Sequence, residues 1–181
     1  MPFSTKEKAN GHLLPLQKLF YPLMNRSSLK KLGYKIIYTG LYRAHRIYCT
    51  IRNPEVFGSY ILCMHEHKVL LIKNSYKRYW TFPCGGIAAH ETPVQAAIRE
   101  AKEEVGLNLL SDHLLLRAKF LYKGEGQRDN IHLFEYRFET KPQVQIDHRE
   151  VEDFRWVSKE ELPQFTIFDP ILPYIHEAFE V

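Results

Sequence analysis

The stretch Gly85–Leu107, GGIAAHETPVQAAIREAKEEVGL, carries a helix with both of its ends written into it. Thr92 is a natural N-cap, Gln95 stands three residues on to close a capping box, and Pro93 takes the first helical position, where its missing N–H costs nothing. Gly106 supplies the stop. Between these ends Val94, Ala97, Ile98, Ala101 and Val105 recur at spacings of three and four and predict a buried stripe. Glu100, Glu103 and Glu104 are then left on the outward side, where their i, i+3, i+4 spacing makes them neighbours. Like charges so placed destabilise a helix by roughly a few tenths of a kcal/mol. A solvated face is the simplest reading of such a helix alone; the residues around it decide otherwise.

Outward from this helix the period changes to that of strands. Ser59–Met64 and Val69–Lys73 flank HEHK, which reads as a hairpin turn, and Tyr79–Phe82 is a short aromatic strand stopped by Pro83. After the helix, Leu114–Tyr122 and Ile131–Phe138 flank the polar KGEGQRDN loop, and Glu150–Val157 is a last strand before helices near Lys159 and Asp169. The order predicts an α+β domain, a mixed sheet with helices packed on it. His65 and His67 sit on the turn with no third ligand nearby in sequence and read as solvated, as does His90.

The charge is divided. Up to Phe57 ten basic residues face only Glu7 and Glu55, about +8 in net, whereas the remaining fifteen basic and nineteen acidic residues give about −4. This basic segment reads as helical, because Leu29, Leu32, Ile36, Ile37, Leu41, Ala44, Ile47 and Tyr48 recur at helical spacing. An earlier helix is expected around Leu13–Met24, cut by Pro15 and Pro22. The stripe is expected to pack on the main domain with the basic face in solvent; an anionic membrane surface, an acidic partner or nucleic acid are the alternatives, the last without a nucleic-acid motif's spacing. The expected division is a basic helical segment over 1–57 and a main domain over 58–181.

Composition agrees with a folded, cytoplasmic protein. With 45% hydrophobic and 13% aromatic residues the chain can bury a core, and Cys49, Cys63 and Cys84 form no CxxC pair, which fits a reducing compartment. No apolar run approaches the roughly 20 residues needed to span a bilayer.

Seven positions, Gly85, Glu91, Arg99, Glu100, Glu103, Glu104 and Gly106, with aliphatic Ala101 and Leu107, fill every fixed place of the pattern Gx5Ex7REUxEExGU. The chain thereby resembles the Nudix family, and the likeness extends to YWTFP before the box and REVEDFRWVSKEELP after it, covering Gly58–Pro163. The resemblance implies an α/β/α sandwich with a mixed sheet, preceded here by N-terminal helices. It also implies hydrolysis of a nucleoside diphosphate linked to another group, with Mg²⁺ or alternatively Mn²⁺. By the same resemblance Glu100, Glu103 and Glu104 are metal ligands, Glu91 is an outer-shell or metal-linked acid, and Arg99 orients the cluster through charge-assisted hydrogen bonds. Gly85 and Gly86 let the loop backbone bend close to the site. Cys84 and His90 stand where many members have glycine; Cys84 reads as a packed small residue or a reactive thiol.

An acid outside the box is expected at Glu150, with Glu152 as the alternative, to position the attacking water and take its proton. Lys77, Arg78, Lys123 and Arg128 are candidates for phosphate contact, and Tyr79, Phe82, Phe134 and Tyr136 for stacking on a base. Signatures of particular substrates are absent: there is no SQPWPFP segment, no proline about sixteen residues after the box, and Tyr122 falls short of the dinucleoside-polyphosphate spacing. A non-nucleotide diphosphate, or a non-catalytic nucleotide-sensing module, are the alternative functions. A homodimer is left open.

Overall fold

A computed structural model describes residues 26–146 and 148–180, with side chains from 32 onward; the helix expected over Leu13–Met24 lies outside the described residues. The apolar runs around the HEHK turn build the centre of the sheet. Strand β1 (Glu55–His65) turns into β2 (Lys68–Asn74). The two pair directly only at Met64↔Val69 and His65↔Lys68. Beyond that they diverge, and β3 (Trp80–Thr81) and β4 (Cys84–Gly86) enter the gap, β3 pairing β2 and β4 pairing β1. This wedge carries the glycines of the box into the middle of the sheet.

The outer edges complete a seven-stranded mixed sheet. Strand β6 (Gln127–Phe138) runs parallel to β1 along its whole length, β5 (Leu115–Gly124) lies antiparallel to β6, and β7 (Val151–Ser158) lies antiparallel to β2. The KGEGQRDN segment is mostly strand rather than loop: β5 and β6 run through it, and the turn is confined to Glu125 and Gly126, with φ of 53° and 79°. Its polar residues belong to strand ends, which a hydropathy pattern cannot separate from a loop.

Alternation along β1 and β2 divides the core. Ile61, Cys63, Leu70 and Ile72 face helix α2 (Pro93–Val105) and its Ala97, Ala101 and Val105. Tyr60, Leu62, Met64, Val69 and Leu71 face the opposite side, against Ile171 and the Ile175 and Ala178 of helix α3 (Leu172–Ala178). Helices therefore cover both faces, the expected α/β/α sandwich. Each Leu or Ile taken fully out of water in these layers contributes about 1.5–3 kcal/mol. The helix expected near Lys159 is a short 3₁₀ turn, Leu162–Gln164.

Helix α1 (Arg26–Arg52) confirms the helical reading of the basic segment but reverses its orientation. Leu32, Ile36, Ile37, Leu41, Ile47 and Tyr48, expected to pack on the domain, are exposed. Facing the domain instead are Tyr38, Tyr42 and Cys49, four and seven residues apart. Tyr42 lies 4.9 Å from the Tyr76 ring and its hydroxyl donates to Glu125 Oε1 at 2.9 Å; the Cys49 thiol donates to Gln127 Oε1 at 3.3 Å. At the turn after β5, a Cβ on Gly126 would meet the backbone of Thr50 at 2.8 Å, so only glycine lets the hairpin approach the helix so closely. Polar and aromatic contacts, rather than the apolar stripe, fix α1 against the sheet.

Candidate active site

The ends of α2 form as its sequence requires. Gln95 N–H donates to Thr92 Oγ at 3.2 Å, Thr92 N–H donates to Gln95 Oε1 at 2.8 Å, and Gly106 closes the helix at φ 70°. The buried face, however, is turned from the expected one. Ala96 and Glu104 are buried with Ala97, Ala101 and Val105, while Val94 and Ile98 are only partly covered. Glu104 is 4% exposed. It lies beneath β4, where its Oε2 accepts the Cys84 N–H at 2.8 Å and its Oε1 accepts from Asn74 Nδ2 at 3.3 Å. Of the three box carboxylates expected to face outward, only Glu103 is largely exposed, at 61% against 14% for the Glu100 side chain.

Burial sets the electrostatics. It pushes the Glu104 carboxyl up to about 8, against the pull of the Cys84 N–H, and the neighbouring charges of Glu150 and Glu100 push the same way. Glu100 is also raised, first by burial, with Arg99 opposing. Arg99 lies at the centre of the exposed half. Its Nε and Nη2 grip Glu91 bidentately at 2.9 Å each, Nη2 also donates to Gly86 O at 2.9 Å, and Nη1 reaches Glu100 at 2.5 Å and Glu103 at 3.4 Å. Hydrogen bonding to Arg99 holds Glu91 below the ordinary carboxylate range. One guanidinium thus ties the loop, the box acid and the helix together.

Glu150 and Glu152 part company in space. Glu150, in the bend just before β7, accepts a hydrogen bond from the Tyr76 hydroxyl and shares a hollow with Glu100, Glu103 and Glu104. Glu152 faces α1 and pairs with Lys35 at 2.7 Å. From the box a cleft of about 500 Å³ opens between β1, β4 and α1, lined among others by Tyr42, His45, Arg46, Lys77, Tyr79, Gly85, Gly86, Glu125 and Asp129. Tyr79 stacks on Phe168 at 5.0 Å and its hydroxyl donates to Glu125 at 3.2 Å. Asp129 is buried, its Oδ1 has no hydrogen-bond partner among the described residues, and burial raises its carboxyl to about 6. Burial tends to lower the Lys77 ammonium, yet Cys84, Glu104, Glu125 and Glu150 together hold it above its ordinary value.

The structure gathers Lys77, Tyr79, Gly85 and Gly86 into this cleft but not the other candidates for substrate contact. Arg78 is exposed away from it; Lys123 and Arg128 line a separate shallow depression beside Asn53. Phe82, Phe134 and Tyr136 belong to the core. His65 Nδ1 lies 3.2 Å from Phe138 O and His67 is exposed, so neither approaches the carboxylates. Cys84 is half-buried, packed against the core while lining the cleft, and burial pushes its thiol up to about 12. Sequence reading missed Tyr42, His45, Arg46, Glu125 and Asp129. The signal available for the first was the aromatic row on α1, Tyr38 and Tyr42, on the side opposite the stripe.

The model of the NUDIX domain matches residues 53–178. A Bacillus subtilis (strain 168) protein provisionally named an 8-oxo-dGTP diphosphatase is 31% identical over 112 residues, 61% of this chain and 71% of that one. An RNA pyrophosphohydrolase of Hydrogenovibrio crunogenus is 44% identical over 59 residues, but the match spans only 33% of this chain and 36% of the relative. Among solved structures, a bifunctional NMN adenylyltransferase/ADP ribose pyrophosphatase from Francisella tularensis, complexed with AMP and Mn, superposes with a TM-score of 0.61 at 18% identity, covering 91% of this chain and 52% of that one. The domain match takes in the wedge, the capped helix and both covering layers together, and the chain belongs to the Nudix family of hydrolases.

Proposed function

We propose that the chain hydrolyses a phosphoanhydride bond in a nucleoside diphosphate derivative, with Mg²⁺ held by Glu100, Glu103 and Glu104 and Glu91 linked to them through Arg99. The observation that carries this reading is the convergence of Glu100, Glu103, Glu104 and Glu150 on one hollow at the end of an aromatic cleft. The donor set fits a hard cation: every ligating atom is a carboxylate oxygen, and beyond burial the neighbouring carboxylates raise both groups, Glu103 and Glu150 acting on Glu100, and Glu150 and Glu100 on Glu104, a repulsion that a cation relieves. Among the described residues no three such groups stand close enough to enclose an ion without moving, and Arg99 takes the cationic place between Glu91, Glu100 and Glu103. When bound, the ion supplies charge neutralisation of the diphosphate and a lowered pKa for a water.

The chain's own residues do the rest. Glu150, steadied by the Tyr76 hydroxyl, positions that water and accepts its proton. Lys77 and Arg46, both lining the cleft, meet phosphate oxygens, and Tyr79 offers a face for a base. The names of the two curated relatives, an 8-oxo-dGTP diphosphatase and an RNA pyrophosphohydrolase, support a nucleotide substrate, as does the AMP and Mn in the Francisella structure.

Nucleoside triphosphates, oxidised nucleotides, ADP-ribose, dinucleotides and NADH incubated with Mg²⁺ test the reading through released phosphate or pyrophosphate. No turnover of any, with an isoprenoid diphosphate cleaved instead, moves the substrate outside the nucleotides. Glu150→Gln is expected to lower kcat by roughly 10² with little change in KM. Glu152→Gln, which removes only the pair with Lys35, leaves turnover near normal. The reverse pattern in steady-state kinetics would transfer the role to Glu152.

A further inference from the structure

We propose that the outward face of α1 docks on an anionic lipid bilayer, laying the helix in the headgroup plane. Ile36, Ile37, Leu41, Ile47, Tyr48 and Ile51 are each more than half exposed, from 54% at Tyr48 to 75% at Ile51. At about 100° per residue the six fall within an arc of roughly 140°, on the far side of the helix from Tyr38, Tyr42 and Cys49. Gly33, Gly40 and Ala44 fall in the same arc, and from Ile36 to Ile51 no charged residue does. The six side chains together expose on the order of 700 Å² of mainly apolar surface, more than single exposed residues on a soluble surface amount to. Among the described residues this face makes no contact that holds the domain together.

Charge decides what covers it. Helix α1 carries Arg26, Lys30, Lys31, Lys35, Arg43, Arg46 and Arg52 and no acidic residue. A second copy packed on this face would bring two such helices together with no carboxylate on either to offset the repulsion. An anionic headgroup layer supplies the missing charge. Arg43 and Arg52, both exposed, stand at the two borders of the apolar arc, where long stems follow the apolar surface while the guanidinium reaches phosphate oxygens. Tyr48, apolar with a polar tip, suits the same boundary. No helix among the described residues is long and apolar enough to cross a membrane, so the geometry is that of a helix lying on the surface. Tyr42, His45 and Arg46 point to the cleft from the other side of the helix, and docking leaves them in place.

Co-sedimentation of the full chain with phosphatidylcholine vesicles, and with vesicles containing about a third phosphatidylglycerol, tests the proposal. Partitioning is expected to be at least about tenfold greater on the anionic vesicles and to weaken in high salt. The double variant Ile36→Glu/Ile47→Glu should lose binding about tenfold or more, and Arg43→Gln/Arg52→Gln should erase the preference for anionic lipid. Far-UV circular dichroism and the thermal midpoint, unchanged in both variants, separate lost docking from lost folding. A full-length chain that stays in solution with anionic vesicles overturns the proposal, as does undiminished binding by the double glutamate variant. Self-association in solution abolished by Ile47→Glu, without vesicle binding, assigns the face to a second copy instead.

Discussion

Glu104→Gln is expected to abolish most turnover, by roughly 10³ on the scale of lost metal-linked groups, and yet to make the metal-free protein more stable in alkaline solution. The two effects share one cause. Burial, then the charges of Glu150 and Glu100, raises the Glu104 carboxyl from 4.5 to about 8 in the folded chain. Below about pH 4.5 the group is protonated whether the chain is folded or not, and it takes nothing from stability. As pH rises toward 8 the unfolded chain has released this proton and the folded one has not. Stability is lost progressively over that window and levels off above it, by several kcal/mol on the order set by about 1.4 kcal/mol per pKa unit.

The amide removes that slope without leaving a hole. Cys84 N–H and Asn74 Nδ2 both donate to the carboxylate, and the Asn74 Oδ1 has no partner among the described residues. Reversing the Asn74 amide lets its oxygen accept from the introduced side-chain NH₂, while the oxygen of the introduced amide keeps the Cys84 bond. Thermal melts in chelator should therefore show wild type falling behind Glu104→Gln at pH 9 and matching it near pH 4.5. Added Mg²⁺ should lift the midpoint of wild type at pH 9 and leave the variant unmoved. A variant that is active, or wild-type melts in chelator that are flat from pH 5 to 9, would falsify the assignment of Glu104 as a buried ligand held at a raised pKa.

The difference between what sequence and structure say of Glu104 has a physical origin. Caps are local chemistry: Thr92, Gln95, Pro93 and Gly106 act on atoms within one turn, and all four were legible. The rotation of a helix about its axis is not local. Ala97 and Ala101 are neighbours of Glu104 on the helix surface, so a modest turn of the apolar stripe takes the carboxylate under β4, and the hydrogen bonds it accepts there from Cys84 N–H and Asn74 Nδ2 explain why the core tolerates it. The same limit appears in α1. Period shows that Ile36, Ile37, Leu41 and Ile47 share a side but not which way that side points, and polar aromatic contacts through Tyr42 fixed the opposite one. The strands fared better because their alternation has only two faces and both are buried. Cleft residues such as Asp129 come from positions distant in sequence, brought beside Gly58 by the parallel pairing of β1 with β6, which leaves no spacing to read.

Gly85→Ala is expected to cost turnover nearly as much as loss of a box carboxylate, about 10²-fold or more, while Gly86→Ala next to it leaves turnover close to normal. Conformational freedom does not separate the two, since neither glycine has a positive φ. Space does. A Cβ on Gly85 would lie 2.0 Å from Glu100 Oε1 and 2.2 Å from its carboxyl carbon, whereas one on Gly86 would meet nothing within 4 Å. The Gly85 backbone is paired with Ser59 of β1 and has no room to retreat, so the flexible side chain of Glu100 must swing away. That movement separates Glu100 from Arg99 and from the hollow it shares with Glu104 and Glu150. Stability should change little, because the displaced group is the end of a side chain rather than core. The loss should appear chiefly in kcat, accompanied by weaker Mg²⁺ dependence of the thermal midpoint. Equal activity in the two alanine variants would mean that the position of Glu100 beside β4 is not needed for the reaction, and would remove this carboxylate from the proposed ligand set.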